Sequence, residues 1–152
     1  RLAEAASRIA DLPTRGPFGP GSPAAVDPAL LREGAARAVT VQGTLPDLRG
    51  ASVVRVDSPG TIAVGDVPWG LPVDTRFDTL PDGPLVVQVR DAHRQPDVVG
   101  ALARLADRTA VVVEWGWPGP ATTGLPRICA RGWSQPAAAA VLDVLRAAGW
   151  GR

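Results

Sequence analysis

PLVVQVRDAHRQPDVVGALARLADRTAVVVEWGWP, residues 84–118, reads as one strand, one helix and a second strand. Two apolar runs bound it, Leu85-Val86-Val87 with Val89 and Ala110-Val111-Val112-Val113. Both are too continuous for strands with one wet face and suit central parallel strands covered on both sides. Between them, residues 96–106 carry Val98, Leu102 and Leu105 at helical spacing. A charged or polar cluster follows each strand: Arg90-Asp91-Ala92-His93-Arg94 after the first, Glu114-Trp115-Gly116-Trp117-Pro118 after the second. Ligands of open α/β sheets bind beyond the carboxyl ends of their strands, so these clusters mark a surface where function can lie.

The flanks extend the same alternation. Upstream, Asp27 is placed to cap a helix that has Pro28 at its first position and Leu30, Leu31, Ala35 and Ala38 on its core side. Short strands are expected at residues 39–41 and 52–56, with a turn at 44–50. Residues 58–83 are broken by Pro and Gly and read as short extended pieces and loops. Downstream, residues 126–130 form a last short strand. Ser134 then caps a closing helix over 136–148, with Ala137, Ala140, Val141, Val144, Leu145 and Ala148 on its core face and Gly149 ending it. The sum predicts an α/β fold: a three-layer sandwich with a mostly parallel sheet and helices on both faces.

At the amino end, Leu2, Ala5, Ala6 and Ile9 make one apolar helical face. Residues 13–23 hold four Pro and three Gly, the composition of an irregular linker. The organisation expected is a leading helix at 1–12, a linker at 13–26 and the α/β domain at 27–152. The chain starts without Met, which fits a piece of something longer.

Composition narrows the function classes. With 152 residues, 45% hydrophobic and 20% charged, the chain can build one domain with a real core. No apolar run approaches the 18 or so residues of a membrane span, and the first residues do not read as a signal peptide. The compartment is left open between cytoplasmic and secreted. All 16 basic residues are Arg, scattered among acids with a net charge of +1, so no basic stripe for nucleic acid forms. The absence of Lys beside many Ala, Gly, Pro and Val reads as the codon bias of a GC-rich bacterial genome. Cys129 is the only cysteine, set in an apolar strand, and reads as a buried, inert thiol.

Candidate chemistry gathers at the strand ends. Asp91 lies two residues from His93, the only histidine, and a carboxylate there could orient the imidazole as a general base. The same Asp-Ala-His-Arg turn also reads as a cap for the following helix, with Arg94 exposed. Glu114 could act as an acid/base or sugar-binding group, or ion-pair with a neighbouring Arg at the sheet edge. Trp115, Trp117 and Trp133 could stack on sugar faces, or else seal the core or an interdomain surface. No phosphate-binding glycine loop and no nucleophile elbow is present. One His and one Cys cannot build a usual zinc site, and neither a metal nor another cofactor is expected.

The stretch 84–118 resembles the carboxy-terminal domain of bacterial family 3 glycoside hydrolases of the β-N-acetylhexosaminidase type. In that family a strand ending in an Arg-Asp-Ala-His-like turn is followed by a helix and a Val-Val-Val-Glu strand. RLAEAASRIADL at residues 1–12 is similar to the last helix of the family's barrel domain. DPALLREGAARAVTV at 27–41 is similar to its first helix and strand after the linker, and RICARGWS at 127–134 to its close. The resemblance implies a partner, the (β/α)8 catalytic domain of the same polypeptide, and a saccharide containing N-acetylglucosamine. It also implies that the family's nucleophilic Asp, His–Asp loop and Lys-His motif belong to the barrel. None of these motifs lies in this chain, which has no Lys, so no catalytic residue is carried over. Glu114 does not fall in the segment from which other branches donate an acid/base Glu. Asp91, His93, Arg94, Glu114, Trp115 and Trp117 are then candidate substrate or interdomain contacts of a non-catalytic domain. The alternatives are a carbohydrate-binding module using its surface Trp, or a small enzyme built on Asp91, His93 and Glu114.

Overall fold

The two apolar runs become β3 (Leu85–Val89) and β4 (Thr109–Glu114), which pair in parallel at the centre of a five-stranded sheet. The computed structural model describes residues 27–58, 69–73 and 79–151, together with Glu4, Ala6 and Ser7, which are helical. The expected linker lies outside the described residues, as do most of the leading helix and much of 59–78. The register of β3 on β4 slips once: Leu85 faces Thr109 and Val86 faces Val111, so Ala110 is an extra residue. Every residue of β3 is buried, as continuous apolar runs demand of strands covered on both faces.

The other strands add outward from this pair. β2 (Ser52–Arg55) lies parallel to β3, and β5 (Arg127–Cys129) parallel to β4. β1 (Thr40–Gln42) closes the far edge antiparallel to β5, giving the order β1-β5-β4-β3-β2. The architecture is the expected α/β sandwich with a mostly parallel sheet.

One face of the sheet is covered by α2 (Pro96–Arg104). Its Val98, Ala101 and Leu102 pack with Leu105 on Val54, Leu85, Val87, Val89 and Val112. The helix ends at Arg104, one residue before the last apolar position of the spacing. Leu105 caps it, and Thr109 bonds back to the Leu105 carbonyl through both its backbone N–H (2.9 Å) and Oγ1 (2.8 Å). The other face is covered by α3 (Gln135–Ala147), which sets Ala137, Val141 and Leu145 against Val53, Val86, Val111, Val113 and Ile128. Ser134 caps α3 by accepting from Ala137 N–H at 3.2 Å. Each such Val, Leu or Ile side chain, fully buried, contributes about 1.5–3 kcal/mol by leaving water. Trp150, just past α3, packs beside the core and donates its indole N–H to Ala51 O at 3.1 Å.

α1 (Pro28–Ala38) corrects one expectation. Asp27 does cap it, accepting from Ala29 N–H at 2.8 Å, but no residue of the helix is buried. Leu30 is 63% exposed and Leu31 47%. α1 packs beside α3, which already occupies that face of the sheet, so its apolar stripe does not reach the core and Leu30 and Leu31 stay exposed.

Candidate functional site

Because β2, β3, β4 and β5 run parallel, their carboxyl ends share one edge of the sheet. The residues after them meet there, where ligands of such sheets bind. Two polar structures are built on this edge.

The first is a bracket around Glu114. Its side chain is only 1% exposed, yet no basic group is bonded to it among the described residues. Instead the carboxylate accepts three backbone N–H groups: Asp91 at 2.8 Å, Ala92 at 3.1 Å and Gly116 at 2.7 Å. Burial pushes the carboxyl above its ordinary range, the three donors oppose that, and the charge of Asp91 adds to it. The expected ion pair with an Arg is thus replaced by backbone donors. These link the turn after β3 to the loop after β4.

Asp91 completes the bracket. It sits in the left-handed region at φ 51°, ψ 39°, which Asp tolerates better than most residues. Its Oδ1 accepts from Trp117 N–H at 2.8 Å. Gly116 is forced here, because a Cβ on it would lie 2.5 Å from the Asp91 carboxyl carbon. The other side of the loop is held by Arg127, 8% exposed, which donates to the carbonyls of Pro118, Gly119 and Pro120 and to Gln42 Oε1.

The His–Asp arrangement expected from spacing is not made. Among the described residues no hydrogen bond joins His93 to Asp91. The imidazole lies against the Gly119 backbone, with Nδ1 buried and lacking a partner. Nor does Asp91 cap a helix: α2 starts after Gln95, and the short 3-10 turn Ala92–Arg94 receives no side-chain cap. Arg94 is exposed.

The tryptophans divide sharply. Trp117 is 65% exposed, near the start of the held loop. Trp115 is 1% exposed and belongs to the core, which corrects its expected role as a contact or stacking platform. Cys129 is buried, and burial raises its thiol pKa, in line with an inert side chain.

The second structure was not foreseen. Gln88, the polar interruption of β3, is fully buried. Its Oε1 accepts from Leu71 N–H (2.6 Å) and from the Trp115 indole N–H (2.9 Å), and its Nε2 donates to Leu71 O (3.1 Å). The segment 69–73 is thereby tied across the sheet edge. Gly70, at φ 80°, leaves room for the amide, since a Cβ there would lie 2.6 Å from Gln88 Oε1. Gly70 O accepts from the Trp133 indole N–H at 3.1 Å, and Trp69 O from Arg55 Nη1 at 3.2 Å. The guanidinium carbons of Arg55 and Arg90 lie 5.3 and 5.4 Å from the centre of the Trp69 ring. The sequence signal for this strap was a Gln inside a run otherwise apolar.

Among the described residues no group of three or more His, Cys, Asp or Glu side chains is placed to hold a metal ion, and no helix is long and apolar enough to cross a membrane. Comparison with protein-family models, with curated proteins and with solved structures yields no match to this chain.

Proposed function

We propose that this chain is a non-catalytic domain of a glycoside hydrolase family 3 enzyme of the β-N-acetylhexosaminidase type, packed on a (β/α)8 catalytic barrel and forming the outer wall of its sugar site. The observation that carries the reading is the engagement of Glu114 by the chain's own backbone. The buried acid at the end of the central strands has its oxygens occupied by three backbone donors. It therefore serves the loops and not a substrate. Asp91 is likewise engaged by Trp117 N–H.

What the edge offers outward is Trp117 on a loop held at both ends, with the exposed Arg94 after the neighbouring strand. Trp and Arg are the side chains that most often anchor protein interfaces. A loop ordered in advance loses less entropy when a partner docks. These features suit a face that meets another domain, and the resemblance of residues 84–118 supplies its identity.

The test is direct. The chain alone should not hydrolyse a chromogenic N-acetyl-β-glucosaminide, whereas a longer version carrying the residues encoded upstream should. Turnover by the chain alone, abolished by Glu114→Gln, would overturn the reading.

A further inference from the structure

Beside the strap lies a groove of about 460 Å³, within the size range of small-molecule sites. Trp69, Leu71, Pro72 and Trp133 form much of its lining, with Leu142 of α3 and two polar side chains, Arg55 and Gln135. Neither the Glu114 bracket nor Trp117 takes part in it. Its walls are set before any ligand arrives. The Trp133 ring is held through its indole N–H on Gly70 O, and Leu71 is held at both backbone groups by Gln88.

Arg55 is held too. Asp57 takes its Nε at 2.8 Å and Trp69 O takes its Nη1, which leaves Nη2 without a bond among the described residues. Asp57 is mostly exposed while the Arg55 side chain is mostly buried, so water screens the acid more than the base. The groove thus joins an indole platform to an oriented guanidinium. That combination recognises a ring through its apolar face and an attached carboxylate through charge-assisted hydrogen bonds.

We propose that this groove is a binding site for a small ring-bearing carboxylate, the ring seated against Trp133 and Pro72 and the carboxylate on Arg55. Two sources share that chemistry, acidic sugars and aromatic acids. The inference does not depend on the family proposed above, since it rests on the groove alone.

The test uses the full chain labelled with ¹⁵N, following the indole N–H signals of its five Trp, assigned with Trp→Phe variants. Glucuronate and benzoate are the two probes; glucose and acetate are controls lacking the carboxylate or the ring. A saturable shift of the Trp133 signal with one or both probes at millimolar concentration, and none with the controls, is expected. Glucuronate alone would identify an acidic sugar, benzoate alone an aromatic acid. Arg55→Gln should weaken binding about tenfold, as loss of one charge-assisted contact implies. Arg104→Gln on the opposite helix should leave it unchanged. Circular dichroism of Arg55→Gln checks its fold, and Trp133→Phe, which keeps a ring but loses the bond to Gly70, should also weaken binding, read at the Trp69 indole signal. No shift at Trp133 with either probe, or equal affinity in Arg55→Gln, overturns the proposal.

Discussion

The Glu114 bracket and the Gln88 strap stand side by side on one sheet edge and are made in the same way. In each, one buried polar side chain gathers backbone groups from a neighbouring loop. They are joined, since Trp115 follows Glu114 and donates its indole N–H to Gln88. Yet one closes and the other opens. Around Glu114 the acceptor is matched by its donors, with Asp91 packed against Gly116. Around Gln88 the pinned segment borders a groove with an indole and a guanidinium on its walls. At Glu114 the buried carboxylate at a strand end is taken up by the chain's own backbone.

Glu114→Ala gives the largest effect by which this contrast can be broken. It strands three N–H donors, that of Ala92 buried and those of Asp91 and Gly116 partly so, each costing up to about 1–3 kcal/mol when unpaired, less whatever water recovers. A loss of about 3 kcal/mol or more in chemical denaturation is expected. A loss under about 1 kcal/mol would mean that the bracket is ornamental.

Gln88→Leu comes next. It keeps the volume of the side chain but leaves Leu71 N–H, Leu71 O and the Trp115 indole unpaired. We expect about 2 kcal/mol of destabilisation and faster hydrogen exchange at Leu71 than at Trp117. Equal change at both sites would mean that bracket and strap are one unit and not two.

The smallest effect is a pH dependence. Glu114 has a folded-state pKa raised chiefly by burial. The native state then holds the proton more tightly than the unfolded chain, so stability is greater at low pH and falls as pH rises through the folded value. The window opens above the ordinary value of 4.5. In Glu114→Gln this component vanishes, so denaturation midpoints of the two proteins should diverge from acid toward neutral pH, with wild type losing more. Parallel curves would show that the three backbone donors cancel the effect of burial.

Much of this molecule was legible in one dimension. The runs at 85–89 and 110–113 predicted buried parallel strands because only strands covered on both faces carry such continuous apolar side chains. Asp27 and Ser134 predicted helix starts because a short polar side chain before Pro satisfies free N–H groups. The candidate site was only partly legible. Asp91, His93, Arg94, Glu114 and Trp117 do share one edge, since parallel strands bring their ends together. Their bonds were not legible: Asp91 turns to Trp117 and not to His93. The exposed stripe of α1 shows the same limit, because spacing tells that a helix has an apolar face without telling what covers it.

The sequence by itself determined most of the secondary elements, the α/β class and the edge at which the candidate polar residues gather, all of which follow from local periodicity and from the direction of parallel strands. The tertiary structure alone decided that Glu114 is a brace, that Trp115 is core while Trp117 is surface, and that Gln88 ties a distant segment into place beside a groove. Those outcomes depend on contacts between residues 17 to 27 positions apart, and hydrogen-bonding capacity is settled only when the partners have met.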